Sequence, residues 1–190
     1  MPRPIGFIST KGPHGVNAAP FSLFNVVATE PPMVMFCAGL QDDGSTYKDT
    51  IQNLEANPEF VAHIVSEEIA EQMNQCSADY PIGVNEIEEV GLTPIPSVRI
   101  SVPRIAESPV HYECRVFKQL DLGGRHRMTI GEVVYIHVRE DVIDREKLYV
   151  NIDKLKPVGR ISGPRYAHIN DVFKMLRPYI KPPKFDRGKI

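Results

Sequence analysis

The sequence predicts a mainly β fold, a β-barrel with peripheral helices. Three observations carry this. Short apolar runs of strand length recur along the chain and are separated by turn residues. The central third passes from one such run to the next without intervening helices. There are 17 prolines and 13 glycines in 190 residues. Proline at about 9%, against a usual ~5%, interrupts long helices, because an interior proline costs a helix about 3 kcal/mol. A doubly wound sheet would need strands alternating with helices of ten or more residues, and that pattern is absent.

The elements follow in order. Pro4–Thr10 (PIGFIST) reads as a strand, and Lys11–Gly15 (KGPHG) as a hairpin connection. Ala19–Val27 and Met33–Ala38 are strand-like runs parted by Pro31-Pro32, which prevents them from being one helix. Tyr47, Ile51 and Leu54 fall at i, i+4 and i+7, one helical face. Ser45 or Thr46 can cap that helix, and Asn57-Pro58 stops it. Phe60–Val65 is an apolar strand. Ser66–Asn74 reads as a second helix, capped by Ser66, with Glu67 and Glu68 in its first turn. Tyr80–Thr93 is loop with a helical turn at Glu86–Val90. Val98–Val102 alternates as a strand would. Val110–Leu120 and Met128–Val138 form a long hairpin across Gly123-Gly124, with Gly131 as a bulge candidate. Asp171–Leu176 is expected to be a final helix. The barrel is expected to occupy residues 1–177, with residues 178–190 as an extended arm rich in Pro and Lys.

Composition narrows the function. Charged residues are 24% and the net charge is −2, which leaves no global basic field for nucleic acid. No run approaches the ~18 apolar residues of a membrane helix, and MPRPIGFIST lacks the apolar core of a signal peptide. Cys37, Cys76 and Cys114 are odd in number and far apart, which disfavours a disulfide scaffold or structural zinc site and suits a reducing cytoplasm. The six histidines show no metal-ligand spacing. There is no G-x-G-x-x-G, no Walker loop and no G-x-S-x-G elbow.

Three segments could hold a ligand. Ser45-Thr46-Tyr47-Lys48-Asp49-Thr50 lies where the first helix begins, and free N–H groups, hydroxyls and a lysine suit a phosphate. The same pattern serves an ordinary capped helix start. In Asn17-Ala18-Ala19-Pro20-Phe21-Ser22, small residues let a flat ring approach the backbone, while Asn17 and Ser22 can bond its edge. A β-edge with a proline would look alike. In Pro157–Gly163, Arg160 can pair with a phosphate, and the nearby Tyr166 can stack on a ring; a turn with a surface arginine would look alike.

Taken in order, PRPIGFIST, NAAPFSLFN, PPMVMF, S-x-x-K-D-T-x-x-N, GEVVYIHV and PVGRISG-x-x-Y give a set that resembles the flavin reductase-like family of FMN-binding split β-barrel proteins, flavoredoxin-type proteins included. The resemblance runs to about Leu176. It implies a Greek-key-like antiparallel split barrel, usually a homodimer with FMN at the subunit interface. Carried over by position, Thr10, Asn17, Ala19, Pro20 and Ser22 would line the isoalloxazine, and Ser45, Lys48 and Thr50 would hold the phosphate. Arg160 and Tyr166 would close over the flavin from the same or the other subunit. Ile105–Cys114 and GEVVYIHV would be central strands. Family members carry a further stretch with a short helix ahead of the PRP motif, which here directly follows Met1. The implied activity is an NAD(P)H-dependent flavin oxidoreductase, with NADH or NADPH passing hydride to flavin N5. The alternatives are an FMN electron carrier serving redox partner proteins, or a flavin-free binding domain. In the flavin readings the cofactor carries the chemistry, and no catalytic side chain is required.

Overall fold

The computed structural model describes residues 2–179. In chain order, β1 (Arg3–Pro4) precedes β2 (Gly6–Gly12), β3 (Gly15–Phe21), β4 (Phe24–Thr29) and β5 (Pro32–Gly39). Next come α1 (Asp49–Ala56), β6 (Glu59–Ile64), α2 (Ala70–Gln75) and α3 (Glu86–Glu89). A short ribbon, β7 (Pro94–Ile95) and β8 (Arg104–Ile105), leads to the long hairpin β9 (Val110–Asp121) and β10 (His126–Val138). The chain then passes β11 (Ile143–Asp144), β12 (Tyr149–Val150), α4 (Ile152–Leu155), β13 (Val158–Arg160) and β14 (Tyr166–His168).

Seven strands form one antiparallel sheet in the order β3-β2-β6-β9-β10-β5-β4. Its two outer strands, β3 and β4, are consecutive in the chain and joined only by Ser22-Leu23. The sheet must therefore curl until its ends meet, which hides most of its edges. At that seam the Phe24 ring packs against Gly6, so close that a Cβ there would come within 2.4 Å of it. β1, β13 and β14 form a separate three-stranded sheet.

Strand alternation divides the core in two. Ile8 of β2 joins Phe21, Phe24, Phe36, Phe60, Ile51 and Leu54 in one cluster. Its neighbour Phe7 joins Val65, Ile69, Met73, Ile87 and Ile105 in the other. Both faces of β2 are covered, so Gly6 to Thr10 are all buried and do not alternate with exposed residues. Phe36 packs against Phe21 at 5.1 Å between ring centroids and edge-on to Phe60 at 5.3 Å.

The hairpin turns at Gly123 and Gly124, both at positive φ. The register slips between Ile130 and Gly131. There a Cβ on Gly131 would come within 2.4 Å of the Phe60 ring, so the bulge sits where the strand must pass closest to the core.

Several expectations are corrected. Ala19–Val27 is not one strand; it breaks at Ser22-Leu23, the corner that turns β3 into β4. Neither Ser45 nor Thr46 caps α1. Both backbone N–H groups donate to Asp43 Oδ1 in a tight turn, and Lys48 takes the N-cap position. Ser66 precedes a 3₁₀ turn (Glu67–Ile69) that leads into α2, and its hydroxyl makes no capping bond. Val98–Val102 is a bend, because the Val98 and Arg99 N–H groups donate at 2.7 Å to the Glu113 carboxylate and not to a strand. Asp171–Leu176 is not helical. Phe173, Met175 and Leu176 are exposed, and six residues without an apolar surface to pack on do not sustain a helix. Residues 180–190 of the expected arm lie outside the described residues.

On the face of the sheet under β8, His63, His111 and His137 stand directly opposite one another across β6, β9 and β10. The rings are 5.2 Å and 5.7 Å apart. His63 Nε2 accepts from the Ile105 N–H, so Nδ1 carries the proton and donates to the Phe7 carbonyl. Burial pushes His63 well down, and pushes His111 down to about 4 from an ordinary 6.5. A histidine depressed on folding contributes stability that is present above its unfolded value and lost as pH falls toward its folded one. The urea midpoint is therefore expected to fall between pH 6.5 and about 4. In His111→Gln, which cannot gain that charge, the fall should be shallower; equal slopes would remove the ladder from this account.

Candidate functional site

A cavity of about 320 Å³ opens where the end of β3, the end of β5, the start of α1 and the segment after α2 converge. Asn17, Ala19, Pro20 and Ser22 form one wall. Gly39 and Cys37 come from β5, Lys48, Asp49 and Thr50 from the α1 start, and Arg125 from the hairpin turn. Residues 76–80 and Glu86 complete it.

Its floor is a buried polar chain. Asn53 Nδ2 donates to Thr10 Oγ1 at 3.2 Å. The Thr10 hydroxyl donates to Asn17 Oδ1 at 3.5 Å, and the Thr50 hydroxyl donates to the same oxygen at 2.8 Å. Asn17 Nδ2 then donates to Glu86 Oε1 at 2.7 Å, and the Ala18 N–H to Glu86 Oε2 at 3.1 Å. With hydroxyls on its oxygen and a carboxylate on its nitrogen, the Asn17 amide has one orientation. Burial raises the Glu86 carboxyl, Asp49 adds to this, and the bonds from Ala18 and Asn17 oppose it. Burial also raises the Cys37 thiol and lifts Cys76 to about 12, so both thiols on the wall stay protonated at neutral pH.

The rim carries charge. Lys48 Nζ pairs with Asp79 at 3.1 Å, with both side chains partly exposed. Such pairs are worth about 0–1 kcal/mol, so Asp79 yields readily to another anion. The Lys48 bond holds the Asp79 carboxyl below its ordinary range. Arg125 Nη2 donates to the Gln41 carbonyl at 3.1 Å. The first N–H groups of α1, at Asp49 and Thr50, lack partners within the helix and lie on the cavity wall.

The structure brings together six of the ten residues singled out in the sequence: Asn17, Ala19, Pro20, Ser22, Lys48 and Thr50. Thr10 lies one layer behind, in the floor. Thr50 is fully buried, and its hydroxyl is committed to Asn17. Ser22 is held by Arg3, whose Nη2 donates to its hydroxyl at 3.1 Å. Ser45 is exposed in the Asp43 turn, outside the cavity. Arg160 and Tyr166 also lie outside. They face each other across β13 and β14, the guanidinium 4.5 Å over the ring, and the Tyr166 hydroxyl donates to Asn74 Oδ1 at 2.7 Å. Glu86, Asp79 and Arg125 were not singled out. Glu86 stands in an acidic run (EIEE) within the expected helical turn Glu86–Val90, with nothing local to set it apart from Glu88 and Glu89.

The flavin reductase like domain model matches residues 1–158. The chain belongs to this family. Nitrilotriacetate monooxygenase component B from Bacillus cereus is similar to it at 34% identity and a TM-score of 0.87, over 92% of this chain and 88% of that one. The 2-nitrobenzoate 2-nitroreductase NbaA of Pseudomonas fluorescens is 35% identical with a TM-score of 0.84, over 97% and 89%. A split barrel domain from Shewanella frigidimarina NCIMB 400 superposes with a TM-score of 0.80 over 94% of this chain and 86% of that one; at 22% identity it speaks to the fold alone. The fold is the split barrel.

The donor set suits a flavin mononucleotide. Ala19, Pro20, Ser22 and Gly39 offer a wall of small side chains to a flat ring. Lys48, Arg125 and the α1 start offer two cations and free N–H groups to a phosphate.

Proposed function

We propose that this chain binds FMN in the cavity and works as an NAD(P)H-dependent flavin oxidoreductase. The observation that carries the proposal is the union, in one cavity, of the small-residue wall of β3 with Lys48 and the α1 start. When bound, the flavin supplies the hydride-accepting and electron-passing chemistry. The chain's residues bind and orient. Asn17, locked by Thr50 and Glu86, keeps one Nδ2 hydrogen for the ring edge. Ala19 and Pro20 cover one face, and Lys48 and Arg125 hold the phosphate. Without a Rossmann half, nicotinamide meets the open face of the site directly.

Homodimerisation is part of this proposal. Leu23, Val26 and Val27 are exposed at and beside β4, the end strand of the sheet. Arg160 and Tyr166 lie outside the cavity of their own chain; the family resemblance would have them close over the flavin from the other subunit, and that role is proposed on the resemblance alone. Cytoplasmic residence accords with three buried free cysteines, and no helix among the described residues is long and apolar enough to cross a membrane.

Anaerobic stopped-flow mixing of the FMN-loaded protein with NADH and with NADPH tests the activity. Bleaching of the flavin absorbance by at least one of them is expected. A flavin that stays oxidised with both would reject the reductase in favour of an electron carrier.

A further inference from the structure

Glu86 is a carboxylate in the cavity wall whose bond to Asn17 fixes that amide, a task that does not itself need a negative charge. It opens α3 on the far side of Asn17 and is almost fully buried, at 6% exposure. Among the described residues no arginine or lysine bonds it; its partners are the Asn17 amide at 2.7 Å and the Ala18 N–H at 3.1 Å, one on each oxygen. A buried carboxylate held by two neutral donors is costly to keep ionised. The groups that face the carboxylate, Asn17 Nδ2 and the Ala18 N–H, can only donate, so neither can accept a hydrogen bond from a protonated carboxyl group. A proton arriving on Glu86 must therefore sit on a lone pair turned away from both, and the residue lines the cavity.

The ionisable groups packed around Glu86 favour this exchange. Asp49 of α1 adds negative charge. Cys76, at the end of α2, and Tyr80, in the segment after it, are both pushed up and stay neutral. Glu88 and Glu89 share its own helix. Lys48 and Arg125 also line the cavity, but neither bonds the carboxylate.

We infer that Glu86 is the proton-exchanging residue of the site: it takes up one proton from solvent when the flavin in the cavity is reduced, and releases it on reoxidation. The inference rests on the proposed flavin site. The balance is simple. A hydride from reduced nicotinamide brings two electrons and one proton, leaving oxidised nicotinamide and one added negative charge in the cavity. One solvent proton on the Glu86 carboxylate cancels that charge. No bond to the flavin is made by Glu86, and the energetic origin is the cost of placing a second negative charge beside the first in a low-dielectric wall.

The test is the pH dependence of the reduction potential of the bound flavin. Each proton taken up per two electrons changes the equilibrium tenfold per pH unit, about 30 mV. Spectroelectrochemical titration of the FMN-loaded wild type is expected to give a slope one proton steeper than that of Glu86→Gln across the same neutral range. Glu86→Asp, which keeps the carboxyl, should retain much of the steeper slope. Should Glu86→Gln fail to fold, the reduced-minus-oxidised infrared spectrum of the wild type provides the same decision. A protonated-carboxyl C=O band that shifts in heavy water should appear on reduction. Equal slopes in wild type and variant, or no such band, would overturn the inference while leaving the flavin site intact. A wild type that takes up no flavin would overturn both.

Discussion

Lys48→Ala is expected to weaken FMN binding about 10- to 150-fold, the equivalent of losing one charge-assisted hydrogen bond of roughly 1.5–3 kcal/mol. Partial exposure of Lys48 places the effect toward the lower end. The loss has a second source, because the variant leaves Asp79 at the rim without its cation, and an unpaired carboxylate repels a phosphate. Calorimetric titration with FMN and with riboflavin separates the two halves of the ligand. Riboflavin has no phosphate, so its affinity should be nearly unchanged, and raised salt should narrow the FMN difference. Equal losses for both ligands would move the phosphate away from Lys48. Thr50→Ala is a different kind of change. The Thr50 hydroxyl is spent on Asn17, so the variant should affect the ring end, and riboflavin and FMN alike.

Glu113→Ala carries the largest expected effect on stability, about 3–5 kcal/mol, the usual result of breaking a buried charge network. Burial alone would push this carboxyl up. Bonds from the Val98 N–H, His137 and the Arg99 N–H outweigh it and leave the group below its ordinary value. His137 Nε2 lies 2.6 Å from Glu113 Oε1, and Arg104 stands 3.9 Å away. Removing the carboxylate strands two backbone donors and leaves Arg104 against an uncompensated pocket. Urea denaturation followed by circular dichroism measures the loss. Hydrogen exchange should show the Val98 and Arg99 amides losing protection first. A variant within 1 kcal/mol of wild type would show that the 97–103 bend is held by other contacts.

Much of the barrel was legible because its signals are local. The turn KGPHG, the glycine pair at 123–124 and the 47–51–54 apolar spacing each act within a few residues. The failures share a cause in tertiary partners. Val98–Val102 alternates like a strand, yet its N–H groups are captured by a carboxylate from β9. Ser45 and Thr46 look like caps, yet Asp43 takes their N–H groups first. Asp171–Leu176 has helical composition and no surface to pack on.

The cavity divides in the same way. Asn17, Ala19, Pro20, Ser22 and Lys48 sit close in sequence to a strand end or helix start, where ligand chemistry has a recognisable pattern. Glu86 reaches the site from 69 positions beyond Asn17, through a four-residue helix whose other acids face outward. Nothing in EIEE distinguishes the buried carboxylate from its neighbours before the fold is known.

The central claim is that this cavity holds FMN. The most direct measurement is the visible absorption spectrum of the purified protein after incubation with FMN and gel filtration, with mass identification of the flavin released on denaturation. A yellow protein carrying about one FMN per chain is expected, its bands displaced from those of free flavin, and Lys48→Ala should retain less. A colourless protein that elutes free of flavin would contradict the account.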